Sequence, residues 1–240
     1  MNMLEMLKKL FLRTNDSQFF RDSLSSERQA VLKHFEKHFG ESCRMPQSNS
    51  AAEENPIDVY LIKPTGKHPY YTLFTIGMSS YPMSAPSGMD DYKYAELMLH
   101  LPLDWTIDNT SDNLWPVEWL KRVARYPQEH DTWLFYGRVI ANGDDAAPIA
   151  FNTRFTSMTV SATRLLSDRD SFTMFELNKG KTVYCFTLLP LYQDEVAYRT
   201  EHSAEELFSL FESQSVSDVI NINRPSVLEM QQAESLLTQG

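Results

Sequence analysis

Glycine is scarce in this chain, and its scarcity excludes one class of binding site. Eight of the 240 residues are glycine, below the usual share of about 7%. None stands in a GxGxxG or GxxxxGK pattern, the arrangements in which a glycine-rich loop holds phosphate groups. The sequence therefore argues against a nucleotide cofactor, and it predicts no other cofactor.

Cysteine is nearly absent as well. Cys43 and Cys185 are the two cysteines of the chain, and no CxxC pattern occurs. Thiol-rich metal sites and disulfide frameworks need more cysteines at closer spacing. The two residues are therefore interpreted as buried or incidental thiols.

Long hydrophobic runs are missing. No stretch reaches the 18 or so apolar residues that a membrane-spanning helix needs. The apolar N-terminus is interrupted by Glu5, Lys8 and Lys9, and it lacks the small-residue cleavage site of a secretory signal. The pattern predicts a cytoplasmic protein.

Basic charge is in deficit, with a net charge of −10. Residues 1–45 have a net charge of +2. Residues 194–240 are acidic, with nine acidic and two basic residues. A nucleic-acid binder needs a basic surface to neutralise phosphates, so the composition argues against DNA or RNA as a partner. The acidic C-terminal region would either steer a basic protein partner or only keep the surface soluble.

The chain does hold a dense aromatic stretch, Tyr70–Gly143, with all four tryptophans. Large aromatic side chains fill space between a helix and a sheet. This stretch is therefore predicted to form the core.

Helical signals begin and end the chain. Apolar residues recur at helical spacing in the first 40 residues. Ser26 and Gln29 form a capping-box pattern, and Gly40 is placed to end the helix. The polar segment 41–56 is predicted to be a linker that separates an N-terminal helical appendage, 1–40, from a domain at 57–226. Further capping boxes, Ser203 with Glu206 and more weakly Ser226 with Glu229, predict a helix and a helical tail at 227–240.

Strand signals fill the middle. Alternating or β-branched runs predict strands at 57–61, 70–76, 95–101, 132–140 and 182–189, with extended chain at 149–160. A helix is predicted at 114–126. Because strands and helices do not alternate regularly, we predict an α+β fold with a mixed, largely antiparallel sheet flanked by helices.

Few residues suggest catalytic or metal chemistry. His34 and His38 have the spacing of two metal ligands on one helix face, but their charged neighbours favour a solvated face. Asp90, Asp91 and Glu96 place three carboxylates at one loop–strand junction, which would suit a basic partner group, a metal ion or a solvated loop.

Five phrases together resemble the suppressor of fused domain family: TIGMSSYPM (75–83), YAELMLHLPLDW (94–105), WPVEWLKRVARYP (115–127), WLFYGRVIANG (133–143) and FTLLPLYQDEVAY (186–198). The match covers residues 55–226, in the same order throughout. The resemblance implies an α+β fold without enzymatic activity. In animals the family protein grips an extended peptide between this domain and a second one, for which 240 residues leave no room. Single-domain bacterial relatives resemble immunity proteins that neutralise toxins.

The resemblance also implies a binding region. The animal grip uses the loop and strand that correspond here to Gly77–Tyr94 and Ala95–Leu97, although the Met-, Ser- and Pro-rich loop departs from the animal pattern. We therefore predict partner contacts at Tyr81, Asp90, Asp91 and Glu96.

Three functional hypotheses follow. The first is a bacterial-type immunity or antitoxin protein that binds and occludes a cognate toxin. The second is a regulatory scaffold unrelated to toxins. The third, which the sequence favours least, is a hydrolase built around Asp90, Asp91, Glu96 and His100.

Overall fold

The computed structural model describes residues 24–46, 56–107, 111–178 and 180–238. Its helices are α1 (Ser26–Phe39), α2 (Ser111–Glu129), α3 (Arg169–Thr173), α4 (Gln193–Glu201), α5 (Ala204–Ser213) and α6 (Val227–Thr238). Its strands are β1 (Ser42–Arg44), β2 (Asp58–Ile62), β3 (Tyr71–Ile76), β4 (Tyr94–Leu101), β5 (Val139–Ala141), β6 (Ser157–Ser161), β7 (Met174–Asn178) and β8 (Lys181–Leu191). Among the described helices, none is long and apolar enough to cross a membrane.

The strands form one eight-stranded sheet in the order β1-β2-β3-β4-β8-β6-β5, and β7 pairs with the first half of β8. Only the β4–β8 pair is parallel among these strands, with Tyr94 opposite Val183. The predicted α+β class with a mixed, largely antiparallel sheet is confirmed.

Helices cover both faces of the sheet because the strands are apolar on both faces. On the front face, α2 packs Trp119, Leu120 and Val123 against the odd-numbered apolar residues of β2–β4, such as Leu97 and Leu99. On the back face, α1 packs its own apolar stripe against the even-numbered residues. A third cluster forms where α5 and α6 cover the end of β8.

Helix ends follow the sequence signals closely. Gly40 ends α1 with φ +113 and donates its N–H to the carbonyl of Glu36. Ser203 and Glu206 make both reciprocal bonds of a capping box, and Ser226 and Glu229 do the same at α6. The start of α1 differs by one residue, since the side chain of Ser25, not Ser26, caps the helix.

One strand prediction was wrong. Residues 132–138 form no strand. Thr132 accepts the N–H of Ser84 in the loop before β4 at 3.0 Å, whereas the backbone of Gly137 and Arg138 bonds to Val160 of β6. The predicted linker, 41–56, contains β1, which pairs with β2. The division into an appendage, 1–40, and a domain, 57–226, stays a prediction; residues 1–23 lie outside the described residues, and α1 itself packs on the sheet.

Candidate functional site

The loop between β3 and β4, residues 77–93, begins at a position that only glycine fits. Gly77 has φ +124, a conformation that costs other residues energy. A Cβ there would collide with the guanidinium of Arg28 and lie 2.7 Å from the carbonyl oxygen of Pro56. The chain can therefore leave β3 under α1 only because residue 77 lacks a side chain.

Glu96 ties this loop to the strand that follows it. Its carboxylate accepts hydrogen bonds from the Thr75 hydroxyl (2.6 Å), the Gly77 N–H (2.9 Å), the Ser79 N–H (3.1 Å) and the Ser79 hydroxyl (2.7 Å). Burial raises the pKa of Glu96, and these four donors oppose the rise. The Glu96 side chain is fully buried. In this structure it positions the loop, and its direct contact with a partner stays a prediction.

Further hydrogen bonds anchor the loop around Pro82 and Met83. Met83 is buried, its N–H donates to the carbonyl of Lys93 at 2.7 Å, and its Sδ accepts the N–H of Leu134 at 3.3 Å. Gln128 of α2 donates its side-chain N–H to the carbonyl of Pro82 at 2.9 Å. These contacts hold the loop against the start of the segment that follows α2.

The other three predicted contact residues lie on the outside of this anchored loop. Tyr81 is 42% exposed. Asp90 and Asp91 are exposed in a short 3-10 turn, Asp90–Tyr92. The Lys93 ammonium, 2.6 Å from Asp90, lowers the pKa of that carboxyl. Asp91 has no ion-pair partner within the described part of the chain, and partner binding by these residues stays a prediction.

Two residues of the hydrolase hypothesis, His100 and Glu96, do not meet. His100 is fully buried on β4, where Thr72 Oγ1 lies 3.0 Å from its Nδ1 and burial lowers its pKa to about 3. Glu96 lies four residues away, about 13 Å along an extended strand, and its hydrogen-bond partners are different ones. Within residues 24–46, 56–107, 111–178 and 180–238, no group of three histidine, cysteine or carboxylate side chains could hold a metal ion.

His34 and His38 are not on a solvated face, so that interpretation was wrong. The ring of His34 stacks on Phe172 and Phe175 at centroid distances of 5.3 and 4.0 Å, and its Nε2 lies 2.9 Å from the carbonyl oxygen of Phe172. His38 is 7% exposed and its Nδ1 lies 3.2 Å from a carboxylate oxygen of Asp168. The charged neighbours along the helix did not reveal that α3 and β7 cover this flank.

The acidic C-terminal region carries less surface charge than its composition indicates. Glu195 is fully buried and binds Arg224 through both carboxylate oxygens, at 2.5 and 2.8 Å. Asp218 is buried, and its carboxylate accepts hydrogen bonds from the backbone N–H of Arg164 and from the Nε and Nη2 of its side chain. No local pattern could have revealed these pairs, because the partners lie 29 and 54 residues apart. Two of the nine acidic residues therefore fix the fold rather than attract a partner.

Comparison with known proteins identifies what this fold resembles. The family model described as Suppressor of fused protein matches residues 53–225. A solved suppressor of fused homologue from Neisseria gonorrhoeae is 19% identical, with a TM-score of 0.61 over 84% of this chain and 96% of the other. The solved Sufu–Fu complex gives 15% identity and a TM-score of 0.63, covering 88% of this chain and 96% of that one.

Drosophila Suppressor of Fused is larger. It is 16% identical with a TM-score of 0.59, and the matched region covers 87% of this chain but 53% of the Drosophila chain. A search of curated protein sequences gave no significant match. At identities of 15–19% the structural likeness shows only a shared fold. The family model, by contrast, matches the sequence itself over more than half of the chain.

Proposed function

Since this chain belongs to the suppressor of fused protein family, we propose that it is a cytoplasmic, non-enzymatic domain that binds a cognate toxin and inhibits it by occlusion. The family consists of protein-binding and regulatory domains, and the solved Sufu–Fu complex contains one member together with a protein partner. The resemblance of single-domain bacterial relatives to immunity proteins supports a toxin as the partner class.

The observation that carries the proposal is the construction of the loop after β3. Its base is fixed by the buried Glu96 carboxylate, while Tyr81 and Asp91 face solvent. A loop held in one conformation loses little entropy on binding. An exposed tyrosine is also the kind of residue that contributes most at protein interfaces. The loop is therefore suited to recognition.

Charge supports a basic partner. The chain has a net charge of −10, and Asp91 has no ion-pair partner among the described residues. An excess of one charge accelerates the encounter with a partner of the opposite charge. A basic toxin domain would meet this requirement.

Co-expression with the toxin domain encoded beside this protein tests the proposal. The parent protein is expected to restore growth and to copurify with the toxin. Asp91→Lys is expected to reduce copurification at least tenfold, by placing a positive charge at the interface.

Asp144→Lys is the matched control, because it makes the same charge change at an exposed site at the opposite end of the sheet. Asp144 follows β5, whose Ala141 lies opposite Ser157, and Ser157 lies opposite the last residue of β8, Leu191. Equal loss in both variants would show that the loop is not the interface. A parent protein that neither copurifies nor protects would reject the toxin for that pair and favour the regulatory scaffold.

A further inference from the structure

Four aromatic rings form a continuous, partly exposed surface beside the loop after β3. Tyr92 contacts Phe135 and Tyr184 at centroid distances of 4.8 and 4.7 Å, and Trp133 stacks on Phe135 at 5.1 Å. Each of the four is partly exposed rather than buried. We call Tyr92, Trp133, Phe135 and Tyr184 the aromatic patch.

Three separate segments build the aromatic patch. Tyr92 ends the 3-10 turn of the loop, Tyr184 lies on the front face of β8, and Trp133 and Phe135 come from the segment that follows α2. Phe186, which is buried, supports the patch from below, with its ring 5.9 Å from Tyr184. The rings are therefore held in place by the core.

Asp91 supplies a negative charge at the edge of the patch. It directly precedes Tyr92, and its charge contributes, after burial and Tyr92, to raising the pKa of Tyr184 to about 12. The neighbouring carboxylate of Asp90 is already paired with Lys93. Asp91, by contrast, has no basic partner in the described part of the chain.

The same protein shows what rings and a carboxylate bind when they are brought together. The guanidinium of Arg224 lies 4.9–5.1 Å from the ring centroids of Phe155, Tyr192 and Phe211 while Glu195 binds its nitrogens. The electron-rich faces of aromatic rings attract cations, and the carboxylate adds charge and hydrogen bonds. This arrangement is satisfied inside the fold.

A second internal example uses an ammonium group. Lys181 Nζ lies 4.6 Å from the ring centroid of Tyr94 and 2.6 Å from a carboxylate oxygen of Glu27. In the aromatic patch the rings and the carboxylate are present, but no lysine or arginine of the described residues lies over any of the four rings.

We propose that the aromatic patch and Asp91 form a docking site for an arginine side chain of a protein partner. Arginine is favoured over lysine because its planar guanidinium can stack on a ring and bond a carboxylate at the same time. The proposal rests on the proposed function for the identity of the partner, since it names the group by which a basic partner would engage this surface.

A peptide titration tests the site without any toxin. The probe is the capped pentapeptide acetyl-Gly-Gly-Arg-Gly-Gly-amide, and the matched probe carries citrulline, which is neutral and nearly the same shape. The readout is the indole N–H signal of Trp133 in nitrogen-15 NMR spectra, assigned with Trp133→Phe. The arginine peptide is expected to shift this signal with millimolar affinity, and the citrulline peptide at least fivefold more weakly.

Protein variants complete the test. Asp91→Asn is expected to weaken the arginine peptide at least threefold, and Asp144→Asn to leave its affinity unchanged. Equal shifts with both peptides, or no shift at Trp133, would overturn the proposal even if the variants failed to fold. Binding of the peptide without protection against a toxin would reject the proposed function but keep this site. Protection against a toxin that does not depend on Asp91 would reject this site but keep the proposed function.

Discussion

The carboxylate of Glu96 accepts the backbone N–H of Gly77 at 2.9 Å, across 19 residues of chain. This bond joins the first residue of the loop to the strand on which the loop ends. A buried carboxylate at this point fixes the direction in which the chain leaves β3. The conformation of the exposed loop thus depends on two buried residues.

Replacing Glu96 should therefore loosen the loop as well as destabilise the fold. In Glu96→Ala the N–H groups of Gly77 and Ser79 lose their acceptor inside the protein, at a cost of about 2–4 kcal/mol. Urea denaturation measures the cost, and amide hydrogen exchange should show faster exchange at Gly77 and Ser79. Glu118→Ala, an exposed position on α2, is the control. Unchanged exchange at Gly77 would contradict the anchoring role.

Gly77→Ala should destabilise the protein much more than Gly88→Ala. Both glycines have positive φ, +124 and +86, but a Cβ at Gly88 meets no atom within 4 Å. Gly88→Ala should therefore cost only the backbone strain, about 1 kcal/mol, whereas Gly77→Ala adds the clash with Arg28 and Pro56. Thermal or urea unfolding of the two variants gives the comparison. Equal losses would show that the close approach at Gly77 is relieved elsewhere.

Acid should destabilise the fold through its buried histidines. Burial lowers the pKa of His34 to about 4 and, with the nearby His68, that of His100 to about 3, both from 6.5. Between about pH 6.5 and 4 the unfolded chain then binds more protons than the folded one, so the free energy of unfolding falls as the pH is lowered. The expected loss is a few kcal/mol.

Urea unfolding at several pH values measures this dependence. His100→Gln removes one of the titrating groups, so its unfolding free energy should fall less steeply over the same window. A flat profile of the parent protein between pH 6.5 and 4 would contradict the burial of these rings.

The buried Arg224–Glu195 pair should behave differently from an exposed pair. Arg224→Met leaves the carboxylate of Glu195 buried without its counter-charge, a change that typically costs about 3–5 kcal/mol. Adding Glu195→Gln should recover part of the loss, because glutamine has no charge to compensate. Lys93→Met, which removes the partner of the exposed Asp90, should change stability little. A loss in Arg224→Met no larger than in Lys93→Met would contradict the network.

Local pattern predicted much of this fold. Alternation, helical spacing and capping residues correctly predicted four strands and four helices: β2, β3, β4, β8, α1, α2, α5 and α6. These signals act within a few residues, so one sequence is enough to detect them. The strand predicted at 182–189 continues to Leu191, because Pro190 and Leu191 still lie opposite residues of β6.

The candidate site could be predicted only in part. The loop after β3 and its exposed acidic residues were found from composition and the family resemblance. Alternation placed Glu96 on the face of β4 opposite the leucines, but it does not reveal what covers that face. Trp133 and Phe135 were assigned to a strand, because an alternating aromatic run gives the same pattern when it packs as extended chain against a loop. Contacts between segments that are distant along the chain therefore could not be predicted from the sequence.

We propose that the surface around the loop after β3 binds a protein. Hydrogen exchange of this protein, measured free and in complex with a toxin domain that copurifies with it, would locate the bound surface. We predict slower exchange in the complex at residues 81–92 and 132–135, with no change at 142–148 at the opposite end of the sheet. Protection confined to 142–148 or to α6, with none at 81–92, would show that the partner binds elsewhere on the molecule.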